Sequence, residues 1–400
     1  MAVIQLPSTV LKIGLPVPFA LRDASGHLLV PRGTMVATET QRQQLITRGI
    51  YVDENDSEQF KKALAGKVDS MVRSNALLGE IAKAEPDMSE MGGTAVRKAV
   101  GDPISGWNNL MLHASSLLHD PPQSDFPSRV EKLDRDLLEL LDADTDASLL
   151  TLIHSTTSEV HQYSVTHALL VTSICELAAR NLPWPAEWRP SMRRAALTMN
   201  IAMTTLQDLL ALQDGPVTPR QRDVIDSHAI KAAAQMRELG VKDELWLRAV
   251  EHHHASPPGP LKDLPPMLQM ARVIQRADIF AARLSPRKMR QAMPAIAAAK
   301  AAYLDENKKA DEAGAAIIKG VGIYPPGSYV RLASTEVAIV LRRGLRANQP
   351  KVASIISRNG TPLGEPSMRD IRQKAFEITG GVAPHEVKIR LNLHRLLQMG

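Results

Sequence analysis

Apolar positions in this chain come in two textures. From residue 127 to about 320 they recur at helical spacing, in stretches of 15 to 25 residues. The stretches are cut at Pro183-Trp-Pro185, Asp214-Gly-Pro216, Gly240, Ser256-Pro-Pro-Gly-Pro260 and Pro286. Such spacing predicts a bundle of helices with short connections. Asp142-Ala-Asp-Thr-Asp146 supplies capping carboxylates for a helix starting near Ala147. Thr198-Met-Asn-Ile-Ala-Met203 reads as the interior of a buried helix. After Gly320, β-branched residues cluster or alternate in Tyr329-Val-Arg-Leu, Glu336-Val-Ala-Ile-Val-Leu and Lys351-Val-Ala-Ser-Ile-Ile, which predicts a small β appendage.

The first 55 residues differ again. Val10-Leu-Lys-Ile, Val17-Pro-Phe-Ala-Leu and Leu28-Leu-Val alternate with turn signals, and Asp23-Ala-Ser-Gly26 suits a link between two strands. Thr38-Glu-Thr-Gln opens a short helix that stops at Gly49, and Ile50-Tyr-Val-Asp reads as a last strand. Residues 57–84 read as a helix, 85–106 as a linker rich in Gly and Pro, and Trp107–Leu118 as a further helix. The expected fold class is therefore mainly α: a helical bundle with a small N-terminal β-rich module and a small C-terminal β appendage. The expected divisions are 1–56, 57–126, 127–320 and 321–400.

Composition narrows the class. Aromatic content is 4% against 44% hydrophobic residues, so Leu, Ala, Val, Ile and Met must fill the interior, which favours packed helices. The single cysteine, Cys175, excludes an intramolecular disulfide framework and reads as a buried thiol. A net charge of +5 with mixed signs does not point to nucleic acid. No signal peptide and no membrane span are expected, and the expected location is the cytoplasm.

The candidate chemistry lies in histidines. His154, His161 and His167 come first, then His228 after the Gly-Pro turn, then His252-His253-His254 beside a Pro-rich loop, with Asp278 following in Arg276-Ala-Asp-Ile-Phe-Ala. Imidazoles and a carboxylate converging from several helices are what a metal hydrolase needs, because the cation acidifies a water and a second cation clamps phosphate oxygens. His154 and His161 read as ordinary polar positions. Leu118-His119-Asp120 ends a helix before Pro121-Pro122 and lacks such a setting.

Six segments in order resemble the HD-GYP family over roughly residues 150 to 345. They are Tyr163-Ser-Val-Thr-His167, Gly215-Pro-Val-Thr-Pro-Arg-Gln-Arg with His228, Ala249-Val-Glu-His-His-His-Ala, Arg276-Ala-Asp278-Ile-Phe-Ala, Ser285-Pro-Arg-Lys-Met-Arg290 and Gly322-Ile-Tyr-Pro-Pro-Gly-Ser-Tyr-Val-Arg-Leu-Ala. The resemblance implies an HD-type bundle, a bacterial cyclic di-GMP pathway, and metal ligands at His167, His228, His253, His254 and Asp278, with a shift to His252 and His253 as the alternative register. It also implies phosphate contacts from Arg287 and Arg290, whose guanidinium groups pair bidentately with phosphate; a solvated helix start is the other reading of these two arginines.

The chain departs from that family where two cations would be bridged. Met199-Asn200 stands for His-Asp, Ala202-Met203 for Gly-Lys, and Ala255-Ser-Pro-Pro-Gly259 for the Glu-Arg, Asp-Gly and Gly-Tyr-Pro segments. Methionine cannot replace an imidazole for a hard cation, and asparagine lacks the bridging charge. The expectation is a degenerate, signalling HD-GYP-like domain without phosphodiesterase activity. It would act by binding cyclic di-GMP, a related nucleotide, a protein partner or a second copy. The alternatives are a phosphohydrolase with one divalent metal (Mn, Fe or Zn) and a non-catalytic scaffold. The basic residues Arg342, Arg343, Arg346, Lys351 and Arg358 read as a solvated face.

Overall fold

A computed structural model of the chain describes residues 3–5, 17, 20–24, 28–30, 39–53 and 103–400, apart from 159, 161, 306 and 347. The expected strand at Val10–Ile13, the helix at 57–84, most of the 85–106 linker and His161 lie outside the described residues. The chain forms two compact units, Met1–Gly101 and Asp102–Gly400.

In the first unit, strands β1 (Val3–Gln5), β2 (Leu21–Arg22), β3 (Leu28–Val30) and β4 (Tyr51–Asp53) pair antiparallel in the order β1-β4-β2-β3. Helix α1 (Glu39–Arg48) precedes β4 and ends at Gly49, whose φ of 76° is open to glycine at little cost. Val17, Leu21 and Ile50 form the small core.

The second unit opens with α2 (Pro103–His119), earlier than the expected Trp107. Pro103 fits the first helical position because its missing N–H has no partner to lose there. Trp107 is fully buried and its indole N–H donates to Ser148 Oγ at 3.0 Å, so α2 packs into the main core. Then follow α3 (Phe126–Ala143), α4 (Thr145–Ser158), α5 (Tyr163–Ala179), α6 (Trp188–Thr198), α7 (Thr204–Leu212), α8 (Pro219–Glu238), α9 (Glu244–Glu251), α10 (Pro266–Leu284), α11 (Ala295–Tyr303) and α12 (Glu312–Val321). Asp144 caps α4 by accepting from the backbone N–H groups of Asp146 and Ala147.

Helix α5 is the axis of the bundle. Every one of its residues is buried, and α2, α4, α6, α7, α10 and α12 pack on it. A helix covered on all sides is apolar on all sides. Its one buried acid, Glu176, is answered by Arg180, Arg189 and Arg193, and Arg193 also holds the buried Asp134 of α3. Cys175 is buried beside it, and burial raises its thiol well above the usual range. Where α12 crosses α5, Gly320 permits the contact, because a Cβ there would lie 2.7 Å from the Leu177 carbonyl oxygen.

The segment around Met199 departs from expectation. Helix α6 stops at Thr198, a 3-10 turn covers Ile201–Met203, and α7 starts at Thr204. Thr198 Oγ1 donates to the Arg194 carbonyl at 2.7 Å and accepts from the Trp246 indole at 2.8 Å. The Asn200 carbonyl takes the Met203 N–H at 2.8 Å, the tighter i to i+3 pattern. The run is apolar as read, but the helix ends where the Trp246 indole takes the Thr198 hydroxyl and the Asn200–Met203 bond tightens the chain. By length and composition alone Trp188–Leu212 could cross a membrane, contrary to the expectation that no run is long enough. It is a broken helix pair, half buried in the bundle, as a core segment would be.

Strands β5 (Tyr329–Leu332), β6 (Val337–Arg342), β7 (Lys351–Ile356), β8 (Pro362–Arg369) and β9 (Ile378–Val382) form an antiparallel sheet in the order β8-β7-β6-β5-β9. Both of its faces are covered, which is why Val337–Leu341 is apolar without a break. One face packs on Leu150 of α4 and on Leu396 of the last helix, α13 (Leu393–Met399). Two residues expected on a solvated face instead tie the sheet to α4. Arg342 bonds Asp144 at 2.8 Å, and Arg343 bonds Asp146 at 2.5 Å and the Gly320 carbonyl at 2.6 Å. Paired acids at the N-terminus of α4 draw both guanidinium groups down; Arg346, Lys351 and Arg358 are exposed.

Candidate metal centre

One helix and one turn bring three imidazoles to one point. Helix α8 starts with a capping box, in which Thr218 Oγ1 accepts from the Gln221 N–H and the Gln221 side chain accepts from the Thr218 N–H. It presents His228 on its buried side. Helix α9, capped by Asp243, ends at His252, and the turn beyond it carries His253 and His254. Among the described residues, His228, His253 and His254 form the group of donors able to hold a metal ion, their ring nitrogens all within 4.8 Å of one another. His252 caps α9 and is not in the cluster.

His228 Nε2 lies 3.1 Å from His253 Nε2, and His254 Nε2 lies 3.3 Å from His228 Nε2. The other nitrogens fix the tautomers. His228 Nδ1 faces the Ile225 carbonyl, and His253 Nδ1 faces the Val250 carbonyl at 2.6 Å. A carbonyl only accepts, so each Nδ1 carries the proton, and in the neutral ring each Nε2 is a bare lone pair. His228 and His253 are each 1% exposed, and burial pushes both toward the neutral form, His253 down to about 3. Converging lone pairs repel unless a cation lies between them. Two imidazole nitrogens on one Zn-like cation at ~2.1 Å stand about 3.0–3.4 Å apart, and these separations fall in that range. Carbonyls holding Nδ1 are also the usual outer support of metal-binding histidines. The donor set therefore fits a borderline divalent ion such as Mn, Fe or Zn.

Asp278 and His167 form a second pair. His167 Nε2 donates to Asp278 Oδ1 at 2.7 Å, joining α5 to α10. Burial opposes ionisation of Asp278, but the hydrogen bond and charge of His167, with His253 and His254 beyond, hold its carboxyl down to about 2. An ionised carboxylate thus stands in electrostatic reach of the three-histidine cluster. His154 lies on α4, where burial lowers its pKa, and it is not part of the cluster.

Arg287 and Arg290 close a tight turn after α10. Arg287 N–H donates to the Arg290 carbonyl at 2.7 Å, and Arg290 N–H donates back at 2.9 Å. The turn is pinned to the end of α7 by the Lys288 N–H on the Ala211 carbonyl at 2.8 Å. Arg290 spends Nη2 on the Ala282 and Ser285 carbonyls. Burial, then Arg287 and Arg283, lower its pKa, as expected where cations crowd. Arg287 lies 4.8 Å over the Tyr163 ring and donates to Tyr163 Oη at 2.9 Å. Tyr163 in turn stacks on His167, with centroids 5.6 Å apart and planes 8° apart. In the sequence, Tyr163 stands out only as the first residue of the Tyr163–His167 motif. Its spacing of four from His167, one helical turn, was the available signal.

Met199 is buried in the main core. Asn200 begins the 3-10 turn, and that turn packs against α8, the helix of His228. His119 bonds Asp208 of α7 at 2.8 Å, and Asp208 also takes the Ser164 N–H and hydroxyl at the start of α5. These contacts tie α2, α5 and α7 together outside the cluster.

No family model matches this sequence, and no curated protein matches it. Among solved structures the chain is similar to Bd1817, described as a HDG"Y"P protein from Bdellovibrio bacteriovorus, at 13% identity and a TM-score of 0.43, covering 80% of this chain and 99% of that one.

Proposed function

We propose that this protein is a metal-loaded receptor for a cyclic dinucleotide of the cyclic di-GMP kind, without dinuclear phosphodiesterase activity. The observation that carries the reading is the convergence of the His228, His253 and His254 Nε2 atoms, two of them with Nδ1 held by carbonyls. His228, His253 and His254 would hold one divalent cation, with Asp278 as the neighbouring anion. The cation would supply positive charge for a phosphate oxygen. Arg287 and Arg290, on the turn joined to Tyr163, would add guanidinium donors for the same phosphodiester. Asn200 in place of a carboxylate leaves no bridging charge for a second cation, and two dications ~4 Å apart repel strongly without one.

The test is metal analysis of purified protein followed by calorimetric titration with cyclic di-GMP, with and without manganese. The reading expects about one transition metal per chain, saturable nucleotide binding that needs the metal, and no hydrolysis. Absence of both metal and binding refutes it. A second reading, a mononuclear phosphohydrolase, is favoured by the donor count, since three protein nitrogens leave coordination positions open as in catalytic sites. Turnover of a phosphoester that disappears in His253→Ala would select that reading.

A further inference from the structure

We propose that Tyr163 is a positioning residue that links an anion held by Arg287 to the metal held by the histidines. The inference rests on the metal-binding reading above. His228 and His253 are each oriented by a carbonyl at Nδ1. His167 is not. Its Nδ1 is buried and makes no hydrogen bond, so two contacts set its ring: Asp278 at Nε2 and the Tyr163 ring along its face.

Tyr163 is itself 2% exposed and is held on its far side by Arg287, through both the ring and Oη. The result is one continuous column, Arg287 to Tyr163 to His167 to Asp278, ending on α10, which packs against α9, the helix that leads into His253 and His254. Stacked rings in this offset arrangement resist tilting, and a guanidinium over a phenol ring adds to the hold. Arg287 Nη2 is committed to Tyr163 Oη while its buried Nε has no partner, so an oxyanion held bidentately through Nε and Nη2 competes with Tyr163 Oη. The tyrosine ring, then His167, then Asp278 register the change. Because binding linkage is reciprocal, the metal must also alter the affinity for the anion.

Cobalt(II) absorption titrations test this on the full chain, with sulfate as the anion. Cobalt reports imidazole coordination directly, so the readout does not depend on activity. Tyr163→Leu should weaken cobalt binding by about 5-fold or more through the column, while Tyr163→Phe keeps the stack and most of the affinity. Saturating sulfate should shift wild-type cobalt affinity by at least about 5-fold, and both Tyr163→Phe and Arg287→Ala should abolish the shift. A direct charge effect between sulfate and cobalt would survive in Tyr163→Phe, and that result overturns the relay. So does unchanged cobalt affinity in Tyr163→Leu. If Tyr163→Leu does not fold, the Tyr163→Phe and Arg287→Ala arms still decide. Failure of wild-type protein to bind cobalt would overturn the metal reading as well, and so is distinguishable from failure of the relay alone.

Discussion

His228 and His253 point their Nε2 atoms at each other across 3.1 Å while each holds its Nδ1 against the carbonyl three residues earlier, Ile225 and Val250. Neither ring can turn away without giving up that bond. Removing one imidazole should therefore empty the site and leave the bundle standing. His228→Ala is expected to lower metal content from about one ion per chain to near zero with an unchanged far-UV circular dichroism spectrum. Retained metal in that variant would place the ion elsewhere.

Acid should act on the same pair. The folded pKa of His253 is about 3 against an ordinary 6.5, so below about pH 6.5 the unfolded chain binds a proton that the folded one refuses. This contribution to stability is present in full above pH 6.5 and declines as the pH falls toward 3. Asp278, held down to about 2, adds a later loss between its ordinary 3.8 and that value. Urea unfolding of chelator-treated protein should show a lower midpoint at pH 5.0 than at pH 7.5; an equal or higher one contradicts the assignment.

On the proposed reading, the Met199-Asn200 position is the place to add a second cation. The double substitution Met199→His with Asn200→Asp supplies an imidazole and a bridging charge beside the helix of His228. Metal content should rise from about one to about two ions per chain. Hydrolysis of cyclic di-GMP is not expected to follow, because the neighbouring Ala202-Met203 supplies no cationic side chain for the phosphate.

Gly320 sets how closely α12 approaches the helix of His167. A methyl group there would meet the Leu177 carbonyl oxygen at 2.7 Å. Gly320→Ala should cost about 1–3 kcal/mol, read as a lower urea midpoint at an unchanged slope.

Arg193 is one of three arginines on Glu176, a side chain with no exposure, and it also bonds Asp134. Burial raises the cost of ionising Glu176, and Arg189, Arg180 and Arg193 together keep its pKa below the ordinary value. Arg193→Met leaves buried carboxylates short of their cation and should cost about 3–5 kcal/mol. Arg193→Met combined with Asp134→Leu and Glu176→Gln should recover much of that loss in the same unfolding measurement.

Much of this was legible along the chain because it is local. Gly215, Gly240 and Gly259 sit at positive φ in the breaks between helices, and such positions are written in single residues. The strands at Tyr329, Val337 and Lys351 likewise follow from β-branched runs. The stop after Thr198 was not legible, because it depends on Trp246 of a distant helix reaching the Thr198 hydroxyl. The anchoring of Arg342 and Arg343 depends on Asp144 and Asp146, nearly two hundred residues earlier.

The sequence by itself determined a mainly helical chain with β elements at both ends, and the histidines and Asp278 as the chemistry to look for. Only the tertiary structure decided how the donors divide: His228 with His253 and His254 in one cluster, His167 turned instead onto Asp278, and Tyr163 with Arg287 stacked behind it. The physical reason is that residue type and spacing state which side chains can donate a lone pair. Where that lone pair points is fixed by the partner of the other ring nitrogen, and for His167 that nitrogen has none, so packing against a neighbouring ring takes its place.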